Sequence, residues 1–187
     1  MNSRKIFFGT LLLMLFIFSY TFLPDNFFEF KLTKNKSIDL DKDGIKEDIL
    51  LKNGTVNIKS GTQSIWQSPE NWWVDYFLVG DINNDGVPEL NMLVWKEGSF
   101  GESKPFWITE EDKNVKNHLF VFKLRDGAVK PVWQSSNLDN PNFYIEIADI
   151  NGDGENELIA VEGSYVTPGE RRITHWKWNG WGFTRIE

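Results

Sequence analysis

The chain has 187 residues, a formal charge of −7 and no cysteine. The acidic balance argues against a nucleic-acid partner, which needs a basic face. Without cysteine there can be no disulfide, thiolate zinc site or cysteine nucleophile. Aromatic residues make up 15% of the chain and include nine tryptophans, enough for large apolar packing faces.

Residues 1–24 read as a membrane anchor or signal segment. Arg4 and Lys5 precede an uncharged, mostly apolar run from Ile6 to Leu23, at the short end of a membrane span. The expectation is a single-pass transmembrane helix in the cell membrane, with the basic flank inside and the rest of the chain outside the cytoplasm. A cleaved signal would make the protein secreted. Ser19 and Thr21 are the best candidate small residues for a cleavage site at the end of the run. Pro24 to Leu32 is a phenylalanine-rich bridge, either an interfacial collar or a first outer strand.

Residues 25–187 read as all-β, because short alternating runs recur and no sustained helical period appears. Strands are predicted at Ile49–Lys52 and Thr55–Lys59 around Asn53-Gly54, a hairpin signal, and at Gln63–Gln67 after Ser60-Gly61. Val74–Val79 and Leu90–Trp95 flank an acidic loop, and Leu119–Leu124 and Val129–Gln134 pair around Asp126-Gly127. Phe143–Ala148 and Leu158–Val161 flank another acidic loop, and Ile173–Trp178 and Trp181–Arg185 surround Asn179-Gly180.

The order strand, acidic loop, strand, strand, strand repeats. Units fall at about 28–68, 69–135 and 136–187, the first beginning near Phe28. The echo extends past the loops. Ile65-Trp66-Gln67-Ser68 returns as Val132-Trp133-Gln134-Ser135, and Glu97-Gly98-Ser99-Phe100 returns as Glu162-Gly163-Ser164-Tyr165. Repetition at this period points to a propeller or an array of blades.

The three loops share one spacing. Positions one, three and five are Asp39, Asp41 and Asp43; Asp81, Asn83 and Asp85; Asp149, Asn151 and Asp153. Glycine follows at Gly44, Gly86 and Gly154, where a positive φ lets the chain wrap an ion. The carbonyls of Ile45, Val87 and Glu155 would face inward, and an acid stands at position nine: Glu47, Glu89 and Glu157. Oxygen donors in this pattern suit a hard cation, with calcium favoured over magnesium. An EF-hand would close with glutamate at position twelve, where this chain has Leu50, Met92 and Ala160. An Asp/Asn/Gly turn without metal has the same residues.

At these residues the chain resembles the FG-GAP or VCBS repeat family, the calcium-loop blades of integrin α-chain propellers. Its pattern, Asp-x-Asp/Asn-x-Asp-Gly-x-x-Asp/Glu and then an apolar residue, is met by Asp149–Leu158 and Asp81–Leu90. Asp39–Asp48 departs only in that Asp48 precedes the apolar Ile49. The resemblance implies a β-propeller-like array of about three four-stranded antiparallel blades, with Ca2+ in each loop. A closed propeller needs at least four blades, so a degenerate extra blade, an open array and closure by homo-oligomerisation all remain open.

Candidate ligand-binding residues lie in and near the two Glu-Gly-Ser-aromatic loops: Glu97, Phe100, Trp107, His118, Glu162, Tyr165 and His175. Exposed loop aromatics are common binding anchors, although the same motif can be a packing device between blades. Trp176, Trp178 and Trp181 raise a sugar-binding possibility against plain cross-strand packing. No nucleophile elbow, phosphate loop or zinc motif appears. The expectation is a membrane-anchored, calcium-binding, non-enzymatic repeat domain that binds a protein or glycan partner. The alternatives are a component acting on envelope polysaccharide, or an assembly module that completes a propeller by oligomerising.

Overall fold

The structure is a computed structural model that describes residues 33–100, 106–110 and 112–186. They belong to one unit of the chain, Leu32–Glu187. The expected N-terminal anchor, the bridge to Leu32 and the strand start near Phe28 lie outside the described residues. Among the described residues, no helix is long and apolar enough to cross a membrane.

The described chain is all-β, with three four-stranded antiparallel sheets, each a simple meander. The first holds β1 (Thr33–Ile38), β2 (Glu47–Lys52), β3 (Thr55–Ser60) and β4 (Gln63–Gln67). The second holds β5 (Trp73–Gly80), β6 (Glu89–Glu97), β7 (Val115–Arg125) and β8 (Ala128–Gln134). The third holds β9 (Asn142–Ala148), β10 (Glu157–Glu162), β11 (Arg172–Trp178) and β12 (Phe183–Arg185). Each acidic loop joins the first strand of its sheet to the second.

Local chemistry accounts for the turns. Asn53 and Gly54 take φ of 51° and 75°, and Asp126 and Gly127 take 54° and 70°. Positive φ at both central residues matches the right-handed twist of the flanking strands. The Asn179-Gly180 turn is wider than its sequence suggests. Asn179 Oδ1 accepts from the backbone N–H groups of Trp181 and Gly182. This local turn holds Trp181 out of the sheet, so β12 starts at Phe183 and the Trp181 side is solvent-exposed.

The sheets pack in sequence, with two cores between them. Ile49, Leu51, Val56 and Ile58 of the first sheet meet Met92, Val94, Phe120 and Phe122 of the second. Leu93, Leu119 and Val121 of the second sheet meet Ile145, Leu158 and Ala160 of the third. Side chains alternate across a strand, so the middle sheet is buried on both faces. This is why Leu90–Val94 and Leu119–Leu124 lack a solvent-facing polar series.

The repeated Trp-Gln-Ser element has one job in both places. Ser68 Oγ accepts from Val56 N–H at 3.0 Å, and Ser135 Oγ accepts from Leu119 N–H at 3.0 Å. Each serine N–H also donates to the same residue's carbonyl, so the end of the fourth strand is clamped to the third. The tryptophan beside each clamp fills the gap to the next sheet. Trp66 packs at a tilt on Phe122 with ring centroids 5.6 Å apart, and Trp133 meets Phe183 edge to face at 5.1 Å.

Candidate metal loops and an inter-sheet cleft

The three loops are built alike. The position-one aspartate accepts from the N–H groups of positions five and six in every copy. The position-five aspartate accepts from position seven: Ile45 at 2.7 Å, Val87 at 3.0 Å and Glu155 at 2.8 Å. Gly44, Gly86 and Gly154 have φ of 89°, 85° and 89°. Position four is left-handed too, at Lys42, Asn84 and Gly152, a demand that the sequence spacing did not reveal.

The ninth-position glutamates are buried, and each closes its loop from below. Glu47 Oε2 accepts from Leu40 N–H at 3.0 Å, Glu89 Oε2 from Ile82 at 2.9 Å and Glu157 Oε2 from Ile150 at 3.0 Å. A buried carboxylate is stable only when hydrogen-bonded or paired, and these bonds supply part of that.

Neighbouring loops touch. The Lys42 ammonium donates to the Gly86 carbonyl. Asn84 Nδ2 donates to the Asn156 carbonyl at 3.1 Å, and Asn156 N–H donates back to Asn84 Oδ1 at 2.7 Å. Successive acidic loops therefore sit side by side.

The donor sets differ. In the first loop, carboxylate oxygens of Asp39, Asp41 and Asp43 lie within 4.8 Å of one another. None of the three forms an ion pair among the described residues. Three converging carboxylate oxygens with no ion pair fit a hard divalent ion. In the second loop, Asp81, Asp85 and Glu89 converge within the same span. There the Lys123 ammonium contacts Asp85 and lies 2.8 Å from Glu89 Oε1, an ion pair without hydrogen-bond alignment. Burial pushes the Asp85 carboxyl up, but the Lys123 and Val87 bonds outweigh it and leave it below its ordinary value. For Glu89 burial wins, and its carboxyl is raised against the pull of Lys123. In the third loop the Asn151 amide donates to Asp153 and Glu157. Lys177 pairs with Asp153 at 3.4 Å and Glu155 at 2.7 Å. The Glu155 N–H bond is the main cause of a lowered Asp153 carboxyl.

The two Glu-Gly-Ser loops fold around the linker between the second and third sheets. Asn137 N–H donates to the Ser99 carbonyl, and Gly163 N–H to the Pro141 carbonyl. The Tyr165 hydroxyl accepts from Asn117 N–H and donates to the Leu138 carbonyl, both at 3.0 Å. Lys96 gathers the carbonyls of Glu97, Gly98 and Phe100. Glu97 is exposed at the end of β6, and Trp107 is exposed against Phe106. His118 is closed off from solvent, with Nδ1 on the Ser135 carbonyl at 3.2 Å, so it is not part of a rim surface. His175 is half-buried on β11.

Beneath that linker lies a cleft of about 350 Å³ between the second and third sheets. Trp133, Trp176 and Phe183 give it an aromatic lining, and Asn137, Asp139, Asn140 and Arg185 a polar one. Glu162 stands at its wall with both oxygens engaged. Oε2 takes a two-pronged contact from Arg172 at 2.8 Å, and Oε1 accepts from Thr174 Oγ1 at 2.9 Å. Trp176 Nε1 donates to Thr174 at 2.9 Å, which locks the indole in place.

Of the candidate ligand residues the cleft includes Glu162, and of the three tryptophans weighed for sugar binding it includes Trp176. Sequence reading missed Trp133, Asn137, Asn140 and Arg185 as lining residues. The repeated Trp-Gln-Ser element was a signal for Trp133 alone. No family model matches the chain, and no curated protein or solved structure matches it either.

Proposed function

We propose that this is a calcium-binding β-repeat domain of FG-GAP/VCBS type. In this reading it is tethered outside the cytoplasm by its N-terminal segment and binds a glycan without catalysis. Its three sheets would be blades of an open, propeller-like array. The cleft between the second and third sheets carries the ligand reading. Aromatic faces for the apolar side of a sugar ring, with amides, a carboxylate and a guanidinium for its hydroxyls, suit a saccharide better than a flat protein surface. Glu162 supports a positioning role rather than acid–base work, because Arg172 and Thr174 already take both oxygens.

The converging carboxylates of the first loop support this reading, and there a calcium ion would fix the turn between two strands. The test of the ligand reading is a panel of envelope oligosaccharides titrated while tryptophan fluorescence is followed. Trp176→Ala should abolish the response and leave calcium-dependent melting in place. An unchanged response in the variant would rule the cleft out as the glycan site.

A further inference from the structure

The three loops share a backbone but not a counter-charge, and one register position separates them. Glu47 pairs with Ser60 across β2 and β3. One step beyond the Leu90–Phe122 pair, Glu89 stands opposite Lys123. One step beyond the Leu158–Trp176 pair, Glu157 stands opposite Lys177. The third strand thus places a hydroxyl, a buried ammonium and a half-exposed ammonium opposite the ninth-position glutamates in turn, the last reaching Asp153 and Glu155 rather than Glu157.

Ser60 Oγ donates to Glu47 Oε1 at 3.3 Å and brings no charge to the first loop. Lys177 is 38% exposed and lies on the outer acids of the third loop, where water can replace it at little cost. Lys123 differs from both. Its side chain is 1% exposed, and its ammonium lies against two of the three carboxylates that converge in the second loop. A divalent ion between Asp85 and Glu89 would meet that ammonium at contact distance with little water to screen it. Removing the ammonium would leave its buried partner Glu89 short of a counter-charge.

We infer that Lys123 is the resident cation of the second loop, which closes without metal, and that the residue facing the ninth-position glutamate decides whether a loop takes a divalent ion. The inference rests on reading this loop spacing as a cation-binding one, but it concerns the second loop alone. Calcium is titrated calorimetrically into the metal-free full-length protein and its variants. Lys123→Ser should bind one more calcium than the unaltered chain, melt lower in chelator and regain stability with calcium. Asp85→Asn, with Lys123 in place, should leave the stoichiometry unchanged. A folded Lys123→Ser that gains no site overturns the inference, as does loss of one site in Asp85→Asn. Asp41→Asn reads the first loop separately. If the unaltered chain binds no calcium while Lys123→Ser binds one, the calcium role of the natural loops fails and the role of Lys123 stands.

Discussion

Glu47 holds the backbone of Leu40, which is itself buried. Glu47→Ala would orphan that N–H, at a cost of about 1–3 kcal/mol. Glu47→Gln keeps an acceptor and should retain most of the stability. Urea denaturation in chelator separates this from any effect on metal. His118 gives a pH signature. Burial lowers its pKa from the ordinary 6.5. The unfolded chain therefore takes up the proton first as the pH falls. This contribution to stability is complete above pH 6.5 and is lost as the pH drops through the lower folded value. Denaturation midpoints should fall on acidification from pH 6.5 down to that folded value, and His118→Gln should flatten this part of the profile. An identical pH dependence in both proteins would contradict the assignment.

The sheets show which elements local chemistry specifies and which it does not. Hairpins at Asn53-Gly54 and Asp126-Gly127 were legible because both turns need positive φ, which Asn, Asp and Gly accept readily. The first strand, Thr33–Ile38, carries two lysines and little apolar alternation, so β1 has no pattern of its own and is defined by pairing with β2. The acidic loops were legible as a spacing. The residue facing each ninth-position glutamate was not, because Ser60, Lys123 and Lys177 are brought to their loops by the register of the following strand. Trp133 is the element-scale test. It bridges the second and third sheets through Trp178 and Phe183. Trp133 is half-buried, so Trp133→Ala should cost less than the ~3–5 kcal/mol of a fully buried tryptophan and loosen the third sheet first. Hydrogen exchange should quicken in β9–β12 before β1–β4, and uniform quickening would contradict this.

Across the described unit, the sheets follow one another with a core in each gap, and the acidic loops adjoin through Lys42, Asn84 and Asn156. The first sheet turns Asp48, Leu50 and Lys52 of β2 outward, a mostly polar face. With a net charge of −7 and no disulfide available, the chain would gain from a cation that neutralises clustered carboxylates. The most direct measurement is the melting temperature of the metal-free protein as calcium is titrated in, with heat of binding recorded alongside. Saturable binding and a rise in melting temperature are expected, both weakened by Asp41→Asn. A flat titration with an unchanged melting temperature would contradict calcium binding.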